Sequence, residues 1–396
     1  MNIYVLNILK RAQSNYKEWL GTDANLYILS RNKHKEQYSD FENNICFENF
    51  NYSPFRYLQK NINSNEENYL VGTSEYDLVD LGRLRGFFGI KGQKEESALA
   101  FRDKVIMKEK VSKVIKTPNF KRLLNKFEVL DFINDNGFPI VIKPVDGAGS
   151  VNTFVIYNSE ELDVVLDEIW CNNLMVESYV SGDMYHIDGI FFNGKILLSR
   201  PSKYINGCLA YQEKKYLGSV LLDKDNPLYH KLNESVEKIL QSIPTDLDFP
   251  TVFHCELFYT LEDEIVFCEI ASRVGGGKIV EVMEEVTGIN LLEEWIKGQA
   301  GKPINYEDKD YGSGGWILIP PPRAGIVKKI LNIELPEWVI HHEIKVKESE
   351  VLGPAKTSIE HAAAFVVKGE NQDDIESKIN KLNDLFLESL IYEENE

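Results

Sequence analysis

Short apolar runs separated by polar stretches dominate the first 95 residues. The runs at residues 3–6, 26–29 and 69–72 have the length and composition of buried strands. Residues 77–88 carry apolar side chains at helical spacing, and glycines follow them. This pattern predicts a small α/β unit.

The next 85 or so residues alternate between helical and strand-like patterns. We predict helices at residues 97–114, 126–134 and 159–170, and strands at residues 140–142, 153–156 and 174–180. Thr117-Pro118 is expected to break the first of these helices, because the residue before a proline disfavours helical geometry.

The remainder of the chain predicts a second mixed region followed by a third. Asn193-Gly194 is a strong hairpin signal between the strands predicted at 184–192 and 195–198. The further predicted strands are 251–259, 264–270 and 362–367, and the predicted helices are 227–242, 279–286, 291–297 and 373–392. A turn is expected at 312–315. The whole chain is therefore expected to have an α/β (α+β) fold.

Composition narrows the class of protein. A chain of 396 residues favours two or three domains, and 43% hydrophobic with 27% charged residues is typical of a soluble globular protein. The net charge of −18 argues against nucleic acid or an anionic membrane as a partner. No signal peptide or membrane span is predicted, and the five scattered cysteines indicate reduced thiols, which favours a cytoplasmic location.

A lysine and a glycine loop follow the apolar strand at 140–142. Lys143 ends the strand, and the loop over residues 146–152 contains Gly147, Gly149 and Ser150. Glycines let backbone N–H groups approach an anion, and a lysine adds a point charge that suits phosphate. The alternative is an ordinary β-hairpin, and these residues alone leave both interpretations open.

Glu256 and Glu269 lie on two predicted strands joined by a short turn. If the strands pair, both carboxylates can face one side, where they repel each other unless a cation lies between them. Oxygen ligands of this kind suit magnesium. Two exposed glutamates on a solvated sheet face are the alternative.

Three further features gain meaning only in combination. Arg273 follows Glu269 by four residues, and its planar guanidinium suits phosphate or carboxylate. The turn Gly275, Gly276 and Gly277 precedes a helix and offers N–H groups to an anion. An ordinary loop with a salt bridge explains both equally well, and Lys104 alone reads as a solvated helical lysine.

The order of these elements resembles the ATP-grasp superfamily of carboxylate–amine or carboxylate–thiol ligases. Within it, Gly82-Arg-Leu-Arg, Phe101-Arg-Asp-Lys, Tyr185-His-Ile-Asp188 and the Arg273 glycine turn look most like the L-amino acid ligase and carnosine synthase-like group. The resemblance implies a pre-ATP-grasp α/β domain (1–95), a small subdomain with a phosphate flap (96–180), a large subdomain with the metal and substrate site (181–300) and a C-terminal lobe (301–396).

The resemblance also implies roles in nucleotide binding. Lys104 and Lys143 match the lysines that hold the ATP phosphates, and residues 146–152 match the mobile flap over them. Glu177, Tyr179 and Val180 match the linker that receives adenine. Met184 replaces the acid that commonly binds ribose, so either the adjacent Asp183 makes that contact or the ribose contacts are sparse.

The implied catalytic centre follows the same correspondence. Glu256 and Glu269 match the ligands of Mg²⁺, for which Mn²⁺ is a possible substitute. Arg273 matches the arginine that steadies an acyl phosphate, and the following glycines match the cradle for the carboxylate substrate. Ala271 replaces an asparagine that holds metal in many relatives.

His186 and Asp188 alternate on one strand. They line the substrate pocket in one interpretation, and form a hydrogen-bonded histidine core in the other.

The resemblance implies an ATP-dependent ligase that activates a carboxylate as an acyl phosphate and joins it to an amine, releasing ADP and phosphate. The expected partners are small-molecule carboxylates and amines, and a homodimer is possible. One alternative is loading of an amino acid onto a carrier-protein thiol, with Lys108, Lys110 and Lys113 as a basic docking patch. Another is a non-catalytic nucleotide-binding protein.

Overall fold

The computed structural model describes residues 1–7, 14–169, 173–245 and 249–393. Trp170, the predicted end of one helix, and Cys171 lie outside these ranges.

The N-terminal unit is a four-stranded parallel sheet in the order β3-β2-β1-β4. Its elements are β1 (Asn2–Asn7), α1 (Tyr16–Leu20), β2 (Asn25–Arg31), β3 (Asn43–Phe47), α2 (Ser53–Asn61), β4 (Asn68–Gly72) and α3 (Leu78–Phe88). The three predicted strands and the helix α3 are confirmed. Strand β3 was not predicted because it is a half-exposed edge strand with two asparagines, which leaves no apolar run to detect.

The helix predicted at 97–114 is two helices, α4 (Glu95–Ala100) and α5 (Lys104–Val111). Asp103 has extended backbone geometry, and its side chain accepts hydrogen bonds from the amides of Val105 and Ile106. This N-cap ends one helical run and starts the next, so local capping prevails over the continuous apolar pattern.

A four-stranded antiparallel sheet carries the glycine loop. Its elements are β5 (Phe120–Leu123), α6 (Phe127–Asn136), β6 (Ile140–Pro144), β7 (Phe154–Ile156), α7 (Ser159–Ile169) and β8 (Leu174–Ser178). The loop joins β6 to β7, as the sequence predicts, and β8 pairs with both β6 and β5.

The largest sheet has eight strands in the order β13-β12-β9-β10-β11-β14-β18-β16, and a small sheet has the order β17-β15-β19. The strands are β9 (Asp183–Phe192), β10 (Lys195–Ile205), β11 (Leu217–Leu221), β12 (Thr251–Tyr259), β13 (Ile265–Ala271), β14 (Ser313–Ile319), β15 (Gly325–Ile330), β16 (Val339–Ile344), β17 (Val351–Leu352), β18 (Ala363–Gly369) and β19 (Leu390–Tyr392). The accompanying helices are α8 (Pro227–Ser242), α9 (Ile279–Thr287), α10 (Leu291–Gln299) and α11 (Gln372–Ser389).

Local sequence explains several of these boundaries. Asn226, Asn290 and Asn371 accept hydrogen bonds from amides in the first turns of α8, α10 and α11. Asn193 and Gly194 both have positive φ, as the tight turn of a hairpin requires. The turn expected at 312–315 is wrong in part, because β14 begins at Ser313 and continues through Gly315 in pairing with its neighbours.

The four domain boundaries stay predictions. Strands β14, β18 and β16, from the part assigned to a C-terminal lobe, hydrogen-bond into the same sheet as β9 to β13.

Within the described ranges, none of the helices combines the length and apolar character that crossing a bilayer requires.

Gly189 is a position where the sheet admits no side chain. A Cβ there would lie 2.0 Å from the carbonyl oxygen of Leu198 on β10. We expect Gly189→Ala to destabilise the protein by at least about 1–3 kcal/mol through overpacking, seen as a lower apparent melting temperature.

Gly86→Ala is the control, since a Cβ at that position in α3 meets nothing within 4 Å. Alanine there is expected to be neutral or stabilising by up to about 1 kcal/mol, because glycine is the weaker helix former. Equal melting temperatures for the two variants would contradict the packing at Gly189.

Candidate active site

The alternation of β9 and β12 divides their side chains between two layers. Ile187 and Leu257 are buried on the side that packs against α5 and α8. His186, His254 and Glu256 point to the opposite face, because successive residues of a strand alternate. The polar residues of these strands are thereby gathered on one side of the sheet.

Glu256 and Glu269 lie directly opposite each other in the antiparallel pair β12–β13. Lys104 Nζ lies 3.1 Å from Glu269 Oε2, and Tyr204 donates its hydroxyl to Glu256 Oε1 at 3.2 Å. Burial opposes the charge of Glu269, but Lys104 and Lys143 outweigh it and lower the pKa of that carboxyl to about 2. Glu269 is therefore ionised at neutral pH.

The two facing carboxylates fit a hard divalent cation. They supply oxygen atoms only, from neighbouring strands, and their mutual repulsion falls when a cation lies between them. Ala271 adds no ligand atom, so water and phosphate oxygens would complete the coordination.

A second polar cluster lies next to Glu256. Asp188 accepts from His186 Nδ1 at 2.6 Å and from His254 Nδ1 at 2.9 Å, and His254 Nε2 lies 3.4 Å from Glu256 Oε1. His186 Nε2 is also 2.6 Å from Ser219 Oγ. His186 and Asp188 are almost fully buried, so this arrangement matches the hydrogen-bonded core rather than the lining of an open pocket.

The carboxylates beside His254 favour its charged form. Burial disfavours the charged ring, but Asp188 and Glu256 more than compensate and raise the pKa of His254 to about 10. Through His254, the cluster contacts Glu256.

Lys143 is paired with Glu177. Its Nζ donates to Glu177 Oε1 at 2.5 Å, and Lys108 Nζ lies 3.2 Å from Glu177 Oε2. Burial opposes ionisation of Glu177, but the two lysines lower its pKa, and Glu177 in turn raises the pKa of Lys143 against burial. One buried carboxylate therefore contacts both lysines.

Helix α5 supplies two of the cations. Lys104 and Lys108 are one helical turn apart, so they share a face of α5. Both contact residues of β13. Lys108 is completely buried and donates to the carbonyl of Cys268 at 2.6 Å. The surface patch of Lys108, Lys110 and Lys113 suggested by the sequence is therefore wrong, because its first member is not on the surface.

The glycine loop is held from below by two side chains. Lys104 Nζ donates to the carbonyl of Gly147 at 2.7 Å, and Arg102 donates to the carbonyl of Asp146. The same lysine thus contacts Glu269 and the loop. Phosphate binding by the loop amides stays a prediction.

Two other segments contact the loop near its tip. Tyr211, from the segment 199–215, donates to the carbonyl of Ser150 at 3.1 Å, and the amide of Ser358 donates to the carbonyl of Gly149 at 3.1 Å. Gly149 and Ser150 both have positive φ, which allows the tight reversal. Loop residues are therefore in contact with both the large sheet region and the C-terminal region.

Arg273 pairs with a glutamate that no motif indicates. Its Nε donates to Glu75 Oε2 at 2.6 Å, and its Nη1 donates to the carbonyl of Val274 at 2.8 Å. Arg102 donates to Glu75 Oε1. Glu75 lies beyond the end of β4, so the N-terminal unit reaches the site.

Close packing requires the absence of side chains in the turn after Arg273. A Cβ on Gly275 would lie 2.8 Å from both Asp188 Oδ1 and His254 Nδ1. Gly277 has φ +67, and a Cβ there would lie 2.9 Å from the ring of Trp316. Gly276 has more room, since its nearest neighbour is Ile359 at 3.4 Å.

The residues predicted to bind adenine and ribose lie at the end of β8 and the start of β9. Tyr179 is 42% exposed and its amide donates to the carbonyl of Pro139 at 3.1 Å, and Val180 is half-buried. Asp183 accepts from Lys203 at 2.7 Å at the surface. The nucleotide contacts of these three residues stay predictions.

The Lys108–Glu177–Lys143 contacts generate a test. Glu177→Gln leaves Lys108 buried without its charged partner, which we expect to destabilise the protein by about 3–5 kcal/mol. ATP binding should weaken as well, because Lys143 loses the contact that orients it. Thermal melting and calorimetric titration with ATP measure the two effects.

Glu213→Gln is the matched control, because Glu213 pairs with Lys215 at 2.6 Å on the exposed surface. It is expected to change stability by less than about 1 kcal/mol. If Glu177→Gln melts at the same temperature as this control, the buried contacts of Glu177 with Lys108 and Lys143 do not stabilise the protein.

Residues 101–277 match the ATP-grasp domain family. The chain is 27% identical over 323 residues to an L-arginine-specific L-amino acid ligase of Bacillus subtilis, a match that covers 78% of this chain and 76% of that protein.

Two solved structures share the fold. An L-amino acid ligase of Bacillus licheniformis superposes with a TM-score of 0.75 at 15% identity, covering 99% of both chains. A carboxyaminoimidazole ribonucleotide synthase of Aspergillus clavatus gives a TM-score of 0.73 at 13% identity, covering 97% of this chain and 98% of that one.

The sequence match, the fold and the two facing glutamates agree with one another. Residues 101–277 match an ATP-grasp domain, and most of the chain is similar to an ATP-dependent ligase of that family.

Proposed function

We propose that the protein uses ATP to activate the carboxylate of an amino acid as an acyl phosphate, and then joins it to the amine of a second amino acid. The observation that carries this proposal is the direct opposition of Glu256 and Glu269, with Lys104 3.1 Å from the second carboxylate. This arrangement suits the charge of a metal-bound triphosphate beside a carboxylate substrate.

The lysines would bind and orient the phosphates. Lys143 lies at the end of β6, where Glu177 holds it, and Lys104 contacts both Glu269 and the glycine loop. A bound phosphate would replace Glu269 or the Gly147 carbonyl as a partner of Lys104. Positioning and charge neutralisation are the main protein contributions to phosphoryl transfer.

Glu256 and Glu269 would hold Mg²⁺, with Mn²⁺ as a substitute. The bound ion would supply neutralisation of the phosphate oxygens. The chain's own contribution is to hold the two carboxylates in register through the β12–β13 pairing, with Lys104 beside Glu269 and the Tyr204 hydroxyl on Glu256.

Arg273 would stabilise the second half of the reaction. Transfer of the γ-phosphate to the substrate carboxylate releases ADP and leaves an acyl phosphate. Attack of the amine forms the amide bond, breaks the acyl–phosphate bond and releases phosphate and a proton. Negative charge develops on the acyl oxygen during this attack, and a fixed guanidinium beside it lowers the barrier.

The glycine loop would limit the competing hydrolysis. Tyr211 and the amide of Ser358 contact carbonyls at its tip, so the loop closes against two other segments. Exclusion of water from an acyl phosphate favours attack by the amine.

The relative's specificity suggests the substrates to try first. Because the Bacillus subtilis protein is named as arginine-specific, we propose arginine as one member of the pair and a second L-amino acid as the other. Loading of a carrier-protein thiol has less support, because Lys108, one of the three lysines expected to form the docking patch, is buried.

A substrate screen tests the proposed function. The protein is incubated with ATP, Mg²⁺ and pairs of common amino acids, beginning with arginine. Phosphate release is measured first, and the products are then identified by mass spectrometry. We expect phosphate release that depends on the pair, with formation of a dipeptide. ATP binding without phosphate release from any pair would contradict the proposal and favour a non-catalytic nucleotide-binding protein.

Two substitutions test the assigned roles. Glu269→Gln should abolish turnover while leaving the fold, whereas Glu264→Gln, at an exposed position just before β13, should leave turnover unchanged.

Arg273→Ala should reduce amide formation far more than ATP binding, because the arginine acts on the acyl group. Near-normal ADP release by Glu269→Gln, or loss of ATP binding by Arg273→Ala, would show that the residues are misassigned.

A further inference from the structure

Glu75 is delivered to the site by the N-terminal sheet. It begins a 3₁₀ turn at Glu75–Asp77, shortly after β4 ends at Gly72. Ser74 Oγ accepts from the amide of Tyr76 at 3.2 Å, which fixes the turn. Carboxyl ends of parallel strands are the usual location of functional groups in such sheets.

One carboxylate is shared by two arginines from different parts of the chain. Glu75 Oε2 accepts from Arg273 Nε at 2.6 Å, and Glu75 Oε1 accepts from Arg102. The side chain of Glu75 is 10% exposed, and those of Arg102 and Arg273 are 8% and 17% exposed. We call these three residues the Glu75 bridge.

The charge of Glu75 is retained despite burial. Desolvation opposes ionisation, but Arg273 and then Arg102 outweigh it, so the pKa of Glu75 lies below its usual value. Two buried guanidinium groups this close would repel each other without the carboxylate between them. The bridge therefore depends on the negative charge and not only on hydrogen-bonding capacity.

Each arginine of the bridge has a second contact in the site. Arg102 donates through Nη2 to the carbonyl of Asp146, where the glycine loop begins. Arg273 donates through Nη1 to the carbonyl of Val274, and its Nη2 has no hydrogen-bond partner among the described residues. Glu75 thus links the base of the loop to the arginine proposed to act on the acyl group.

We propose that Glu75 is a positioning residue, which orients Arg273 for the acyl phosphate and Arg102 for the glycine loop. The N-terminal unit then completes the active centre without touching the reacting atoms. This inference rests on the proposed function for its catalytic consequence, and on the Glu75 bridge alone for its effect on the loop.

The test compares Glu75→Gln and Glu75→Asp with wild type. Glutamine keeps the size and loses the charge, whereas aspartate keeps the charge on a shorter side chain. Glu95→Gln is the matched control, because Glu95 lies in the same unit and accepts from Arg83 Nε at 2.7 Å on the exposed surface. For each protein, kcat, the KM of both amino acids, the Kd of ATP and hydrogen exchange of the loop are measured.

We expect kcat of Glu75→Gln to fall by about 10²-fold, because a misplaced catalytic group has an effect of that size. The KM values and the Kd of ATP should stay within about twofold, since positioning alters the transition state rather than binding. Aspartate should restore part of kcat, and Glu95→Gln should behave as wild type. Amides of residues 146–152 should exchange faster in substrate-free Glu75→Gln.

Other outcomes would overturn the inference. A raised amino-acid KM with unchanged kcat would mean that Glu75 binds substrate directly. A parallel loss of ATP binding and melting temperature would mean a purely structural role.

Loop exchange separates this inference from the proposed function. It is measured without substrates, so silence of the wild-type protein in the substrate screen would count against the proposed function alone. If the loop amides of both Glu75 variants exchange at the wild-type rate, the inferred effect of the Glu75 bridge on the loop is wrong, whatever the substrate screen shows.

Discussion

The opposition of two carboxylates in a protein interior is the constraint on which the rest of the site depends. The register of β12 and β13 places Glu256 directly across from Glu269, and like charges at that separation repel. Lys104 offsets the charge of one, and the imidazolium of His254, held by Asp188, lies beside the other. The surrounding cations offset this repulsion, and the proposed metal ion would offset it further.

The charged groups around this pair come from several parts of the chain. Helix α5 supplies Lys104, the small antiparallel sheet supplies Lys143, and the N-terminal unit supplies Glu75, which pairs with the Arg273 that follows β13. Each of these cations is paired with a carboxylate of the chain. Substrate charges would therefore exchange partners with groups already in place, which limits reorganisation during the reaction.

Local patterns allowed much of this arrangement to be predicted. The apolar run before Lys143 and the alternation around Glu256 and Glu269 are short-range signals, and the structure confirms the strands that carry them. The split between α4 and α5 was missed because a single side chain, Asp103, decides it. The contact between Glu75 and Arg273 has no local sequence signal, because the two residues are distant in the chain and no spacing rule joins them.

Binding of Mn²⁺ to the protein in the presence of a non-hydrolysable ATP analogue, followed by electron paramagnetic resonance, tests the central claim most directly. If Glu256 and Glu269 hold the metal, wild type should bind Mn²⁺ more tightly when the nucleotide is present. Glu256→Gln and Glu269→Gln should each lose that enhancement while retaining the wild-type fold. Undiminished nucleotide-dependent Mn²⁺ binding in both variants would contradict the assignment of the two facing carboxylates as the metal site.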